Sequence, residues 1–156
     1  MPPLIDPESP SFLLLDISRM TRAEFERRVT AAQLGITPGE ARTLATMARS
    51  GPIRQNCLAD LSAQSRMSVT VFLDRLEAAG LIRRSPDPDD RRAKLVEVTE
   101  AATPLLRALK SIGDEVRAVM RGEMTDAQWH QFREFLRIVR NNQMAARQSH
   151  KSEGKI

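Results

Sequence analysis

From Gly80 to Thr99 the spacing of apolar residues shifts from a helical period to a period of two, which constrains the fold more than any other feature of this chain. Leu81-Ile82-Arg83-Arg84 is short and strand-like, and Lys94-Leu95-Val96-Glu97-Val98 alternates with β-branched residues. Between them stand Pro86, Asp87, Pro88, Asp89, Asp90, Arg91 and Arg92. Proline and aspartate favour a loop, so the segment predicts a β-hairpin with a long charged tip in an otherwise helical protein.

On either side the pattern is helical. Phe12, Leu15, Met20, Phe25 and Val29 make one stripe up to Leu34. Thr37-Pro38-Gly39-Glu40 starts a second helix, with Thr37 as cap, Pro38 in the first turn and Glu40 closing a capping box. That helix carries Leu44, Met47 and Ala48 and stops at Gly51-Pro52. A short helix follows over about Asn56 to Ser62. Another runs from Ser65 as N-cap to Gly80, with Val69, Phe72, Leu73 and Leu76 as its apolar stripe. The opposite face carries Arg66, Ser68, Thr70, Val71 and Arg75. Thr99 is expected to cap the next helix, which holds Leu105 to Met120. Thr125 and Gln128 form a second capping box for a last helix bearing Trp129, Phe132, Phe135, Leu136 and Val139.

The terminal helices are too long to be covered by a centre of about 50 residues, yet each has an apolar stripe. An intramolecular bundle would cover them. A second copy of the chain does so more economically, and Trp129 is expected in that interface. The expected organisation is an extended arm at 1–10, a helical dimerisation region at 11–35 and 100–146, a central module at 36–99 and a flexible tail at 147–156. The fold class is mainly α with a small β-hairpin.

Composition narrows the function. The 156 residues hold 24 Lys and Arg against 20 Asp and Glu, a net charge of +4, which suits a polyanionic partner. Most of the bases are Arg, whose fork matches phosphates and guanine edges. No apolar run reaches the ~20 residues of a membrane span, and the first residues do not read as a signal peptide, so a cytoplasmic protein without membrane partners is expected. One cysteine, Cys57, excludes an internal disulfide and a multi-cysteine zinc site. Cys57 is expected as a small residue half-packed under the central module. His130 and His150 lack ligand spacing, so no metal is expected. With no Gly-rich phosphate loop, His/Asp motif or nucleophile elbow, the chain does not read as an enzyme and implies no cofactor.

Two short helices and a tight turn, followed by a hairpin, give the order of a winged helix-turn-helix. The major groove of DNA admits one α-helix, whose first residues reach base edges. The helix from Ser65 presents Arg66 and small polar groups there, and its N-terminal amides favour a phosphate. Arg91 and Arg92 at the hairpin tip can reach the neighbouring minor groove.

The stretch "LDRLEAAGLIRRSPDPDDRRAKLVEVTEAATPLL", Leu73 to Leu106, resembles the MarR-type transcriptional regulators. "LGITP" at 34–38 and "LADL" at 58–61 resemble the same family. The resemblance implies an obligate homodimer joined through the terminal helices. It implies that Arg92 enters the minor groove with Asp90 holding its side chain, and that Arg91 and Lys94 face phosphates. Ser68, Thr70 and Arg75 fall on recognition-helix positions, and Asp74 resembles an acid that steadies neighbouring Arg side chains. Val71 stands where many members place a polar base reader, so contact with a thymine methyl is an alternative. Ser62 and Gln64 occupy turn positions that are usually apolar, which suggests a looser turn. Pro104 should bend the next helix or move its start to Thr103.

The function so implied is a repressor on a pseudo-palindromic operator, relieved by a small aromatic or acyl ligand. Phe12, Met20, Arg42 and Leu44 are the candidate pocket residues. The chief alternative is a winged-helix adaptor that binds another protein. Some relatives sense oxidants through a cysteine near the first helix with Tyr partners; this chain has no Tyr.

Overall fold

A computed structural model describes residues 4–153, with side chains through 149. Helix α1 spans Pro10–Ala32, α2 Pro38–Ser50, α3 Gln55–Ser62, α4 Arg66–Ala78, α5 Thr103–Arg121 and α6 Asp126–Glu153. Strands β1 (Ile53–Arg54), β2 (Ile82–Pro86) and β3 (Lys94–Val98) form an antiparallel sheet in the order β1-β3-β2. Two compact units are resolved, one ending at Arg117 and the other beginning at Ala118.

The helix starts follow local chemistry. Thr37 N–H donates to Glu40 Oε2 at 2.7 Å and Glu40 N–H to Thr37 Oγ1 at 3.2 Å, the reciprocal capping box. Thr125 and Gln128 repeat it at 2.9 and 3.2 Å. Ser65 Oγ accepts from the Ser68 N–H at 3.0 Å and starts α4.

In the first unit, α2 contributes Ala41, Leu44 and Met47 to the core, and α3 adds Leu58 and Ala59. Val69, Leu73 and Leu76 come from α4, Ile82 and Val96 from the sheet, and Leu109, Ile112 and Val116 from α5. Each large side chain buried there contributes about 1.5–3 kcal/mol of transfer free energy. Gly39 lets α2 and α4 approach closely: a Cβ on it would run into the Phe72 ring.

Several expectations need correction. The hairpin gains a third strand, because Ile53 pairs with Val96 and Arg54 with Leu95. Two residues are too few to show a period, so β1 left no pattern to read. Thr99 stands at the N-cap position but makes no side-chain cap bond: its hydroxyl donates to Gly80 O at 2.7 Å. A single 3-10 turn at Glu100–Ala102 precedes α5. Helix α5 then starts at Thr103, and Pro104 sits in its first turn, where no intrahelical N–H bond is required. Helix α6 continues through residues 147–149, where a tail was expected; the tail's last residues, 154–156, lie outside those described.

The turn between α3 and α4 is tied rather than loose. Gln64 Nε2 donates to Gly39 O at 3.1 Å, and Gln64 Oε1 accepts from Thr43 Oγ1 at 2.9 Å. Ser62 is buried, with its hydroxyl on Leu58 O at 2.8 Å. Polar side chains thus fill apolar positions by meeting their hydrogen bonds internally. Cys57 is exposed rather than half-packed, because the buried stripe of α3 runs through Leu58 and Ala59.

Candidate nucleic-acid interface

Helix α4 buries Val69, Leu73 and Leu76 and so turns its opposite side outward. The outermost ridge is Met67, Val71, Asp74 and Ala78, all exposed. Arg66 and Thr70 flank it on one side and Arg75 on the other.

The wing is β2, β3 and the loop between them. Register pairs Arg84 with Val96 and Arg83 with Glu97, so the two adjacent arginines point to opposite faces. On one face Arg83 bonds Glu97 across the strands. On the other, Arg84 passes beneath the wing towards α4. Its guanidinium reaches Asp74 at 2.7 Å, Glu77 at 2.5 Å and Gln55 Oε1 at 3.2 Å, with the side chain only 13% exposed. Burial lowers the affinity of this guanidinium for its proton. The bonds from Glu77 and Asp74 outweigh that, so its pKa is raised and it stays charged. Gln55 in turn donates to Thr70 Oγ1 at 3.3 Å. One arginine thereby ties the wing to α4 and to the start of α3.

The loop is held by a second buried acid–base contact. Asp87 is 4% exposed; its Oδ1 accepts from the Asp89 N–H at 2.8 Å and its Oδ2 from Arg54 Nε at 2.5 Å. Those bonds hold its carboxyl below the usual range, the Asp89 amide contributing most. Asp87 is therefore not part of a solvated tip. It fastens the loop to β1, a role hidden in the sequence because its partner lies 33 residues away.

The two elements enclose a cleft of about 420 Å³ lined by Gln55, Asn56, Arg66, Asp90, Arg92 and Lys94 among others. Arg54, Arg83 and Arg84 are consumed by acids. Among the described residues, Arg66, Arg91, Arg92 and Lys94 pair with none. Cations free of internal partners thus concentrate where the start of α4 meets the wing.

Residues 36–94 match the MarR family. That segment, the central module, belongs to the MarR family. The chain is 31% identical over 104 residues to the uncharacterized HTH-type transcriptional regulator YcgE of Bacillus subtilis, covering 67% of this chain and 64% of that one. It is 32% identical over 82 residues to the HTH-type transcriptional repressor NicR of Pseudomonas putida, covering 53% and 52%. The chain thus spans about half to two-thirds of the length of these curated relatives. The crystal structure of a MarR-family transcriptional regulator from Silicibacter pomeroyi shares the fold, with a TM-score of 0.73 at 23% identity over 86% of this chain and 89% of that one.

Against the MarR-family expectations, the structure places Arg66, Asp90, Arg92 and Lys94 around one cleft, with Arg91 beside it on the exposed loop. Asp74 bonds Arg84, as expected of an acid that steadies Arg side chains. Asp90 does not hold the Arg92 side chain; its Oδ1 accepts from the Arg92 backbone N–H at 3.0 Å, because the tight turn brings that amide nearest. Ser65 and Ser68 bond each other at 2.8 Å. Thr70 donates to Arg66 O at 3.0 Å. Arg75 turns away from the wing to within 3.5 Å of the buried Glu40 on α2. Met67, Gln55, Asn56 and Arg84 went unread: the first passes for core, and the others act only through long-range contacts.

The four candidate pocket residues are not gathered. Phe12 and Met20 lie exposed on α1, and Leu44 is fully buried in the core of the MarR-family module. Arg42 bonds Glu26 at 2.9 Å, and burial lowers its pKa. A cavity of about 460 Å³ instead joins the end of α1, the turn after it and α4, with Gln33, Ile36, Glu40 and Arg75 in its wall. The wall is the single stretch 29–40 closed by Arg75 of α4, a contact remote along the chain that spacing could not reveal. Among the described residues, no helix is long and apolar enough to cross a membrane.

Proposed function

We propose that the protein is a homodimeric, DNA-binding transcriptional regulator. Helix α4 enters the major groove and the loop carrying Arg91 and Arg92 enters the adjacent minor groove. The observation that carries this reading is the cleft at which Arg66, Arg92 and Lys94 meet without an acidic partner while Arg84 holds the wing against α4. A dimer would set two recognition helices about one helical turn of DNA apart, on a pseudo-palindromic operator. The exposed apolar residues Leu14 and Leu15 of α1 and Phe135, Ile138 and Val139 of α6 support pairing of two copies. Repression relieved by a small aromatic or acyl ligand is the regulatory mode that the family resemblance favours; a carboxylate form would suit Arg75. The cavity beside Arg75 supports it, because an occupant there would touch both α1 and the recognition helix.

The test is fluorescence anisotropy on a duplex selected from a random pool, at several salt concentrations. Affinity should fall steeply with salt, and Arg92→Ala should cost about 1–3 kcal/mol. A flat salt profile or an unaffected Arg92→Ala variant rejects the interface. Carboxylates that leave the affinity unchanged at saturating concentration reject the regulatory part alone.

A further inference from the structure

Helix α4 is unusual in what remains free on its outer surface. The Thr70 hydroxyl is engaged by Arg66 O and Gln55, Asp74 by Arg84, Arg75 by Glu40, and Ser68 by Ser65. Apart from Arg66, the polar groups of α4 that could read base edges are therefore bonded to the protein itself. What stands outermost in the first two turns is apolar: Met67 is 80% exposed and Val71 43%. The two are four residues apart, so they stack on one face of the helix. Arg66, the residue before Met67, opens onto the cationic cleft with Arg92 and Lys94. The apolar ridge is thus continuous with the surface expected to follow phosphates.

Burying Met67 and Val71 against a polar groove floor would leave their apolar surface unmatched. The major-groove floor has one apolar feature, the C5-methyl group of thymine. On the reading of α4 as the recognition helix, we infer that Met67 and Val71 are specificity-determining residues that select thymine by its methyl group. The wing side of the cleft holds the duplex by charge, and the ridge chooses its sequence by apolar contact. Each half-site should then contain one or two thymines opposite this ridge.

Deoxyuridine replaces thymidine without altering base pairing or the minor groove. Duplexes selected for tight binding are resynthesised with deoxyuridine at each thymine in turn, and affinities are measured by anisotropy. Loss of a contacted methyl should weaken binding about fourfold, the equivalent of one buried methylene. In Met67→Ala, Val71→Ala and the double variant, that discrimination should shrink and then vanish, with the salt dependence retained. Alanine favours helix at these exposed positions, and thermal melting followed by circular dichroism confirms folding. Equal affinity for the two duplex types overturns the inference, including the case in which the ridge docks another protein. Discrimination that persists in the double variant also overturns it. Failure of the unaltered protein to bind any duplex removes the DNA-binding reading itself, whereas methyl-indifferent but sequence-selective binding removes only this inference.

Discussion

Arg84 and Arg92 show how differently two arginines of one hairpin are employed. Arg84 spends its donors on Asp74, Glu77 and Gln55, whereas Arg92 leaves its donors free at the cleft. Arg84→Met should lower stability by about 1–3 kcal/mol, since Asp74 and Glu77 would lose a shared partner. It should also weaken DNA binding, because wing and helix would no longer be held at one offset; parallel denaturant titration and anisotropy check both. The sequence revealed the charge of these residues but not this division, because adjacent strand residues differ only in which face they take. Glu24 contributes a pH dependence. Bonds from Arg27, then Arg28, lower its pKa from 4.5 to about 2. A lowered folded-state pKa stabilises the native state above the unfolded value and loses that contribution as pH falls from 4.5 towards 2. The difference in melting temperature between the unaltered protein and Glu24→Gln should therefore be present at neutral pH and fade over that acid range. High salt should reduce it throughout, because Arg27, the larger contributor, lies at the surface.

At the scale of elements, the helix starts were legible because capping is a local matter. Thr37 with Glu40, Ser65, and Thr125 with Gln128 act within one turn of their own positions. Strand β3 was legible because five residues suffice for alternation. Strand β1 was not, since Ile53 and Arg54 become a strand only by meeting Val96 and Leu95. Gly39 illustrates a constraint between elements. Gly39→Ala would put a methyl into the Phe72 ring and should cost about 1–3 kcal/mol by overpacking. Combining it with Phe72→Leu should recover part of that loss in urea denaturation, a coupling that distant sites would not show. If Gly39→Ala proves neutral, α2 and α4 can separate more easily than their packing suggests.

For the whole molecule, the proposed reading gives the terminal helices the oligomeric state and the central module the DNA. The apolar residues left exposed on α1 and α6 are the feature from which a dimer was expected at the outset. Ile138→Glu, on exposed α6, should yield single subunits by light scattering and lose operator binding, while the far-ultraviolet helix signal persists. A double-sized species in that variant would place the interface elsewhere. The sequence by itself determined the order of helices and hairpin, the family, and the cations of the wing, because these depend on periodicity and on residues a few positions apart. Only the tertiary structure decided which cations remain free, which acid fastens the loop, and that the first two turns of the α4 ridge are apolar. Those outcomes depend on contacts such as Arg54 with Asp87 and Arg84 with Gln55. Such pairs are remote along the chain, and a pattern of residue types holds no record of distances in space.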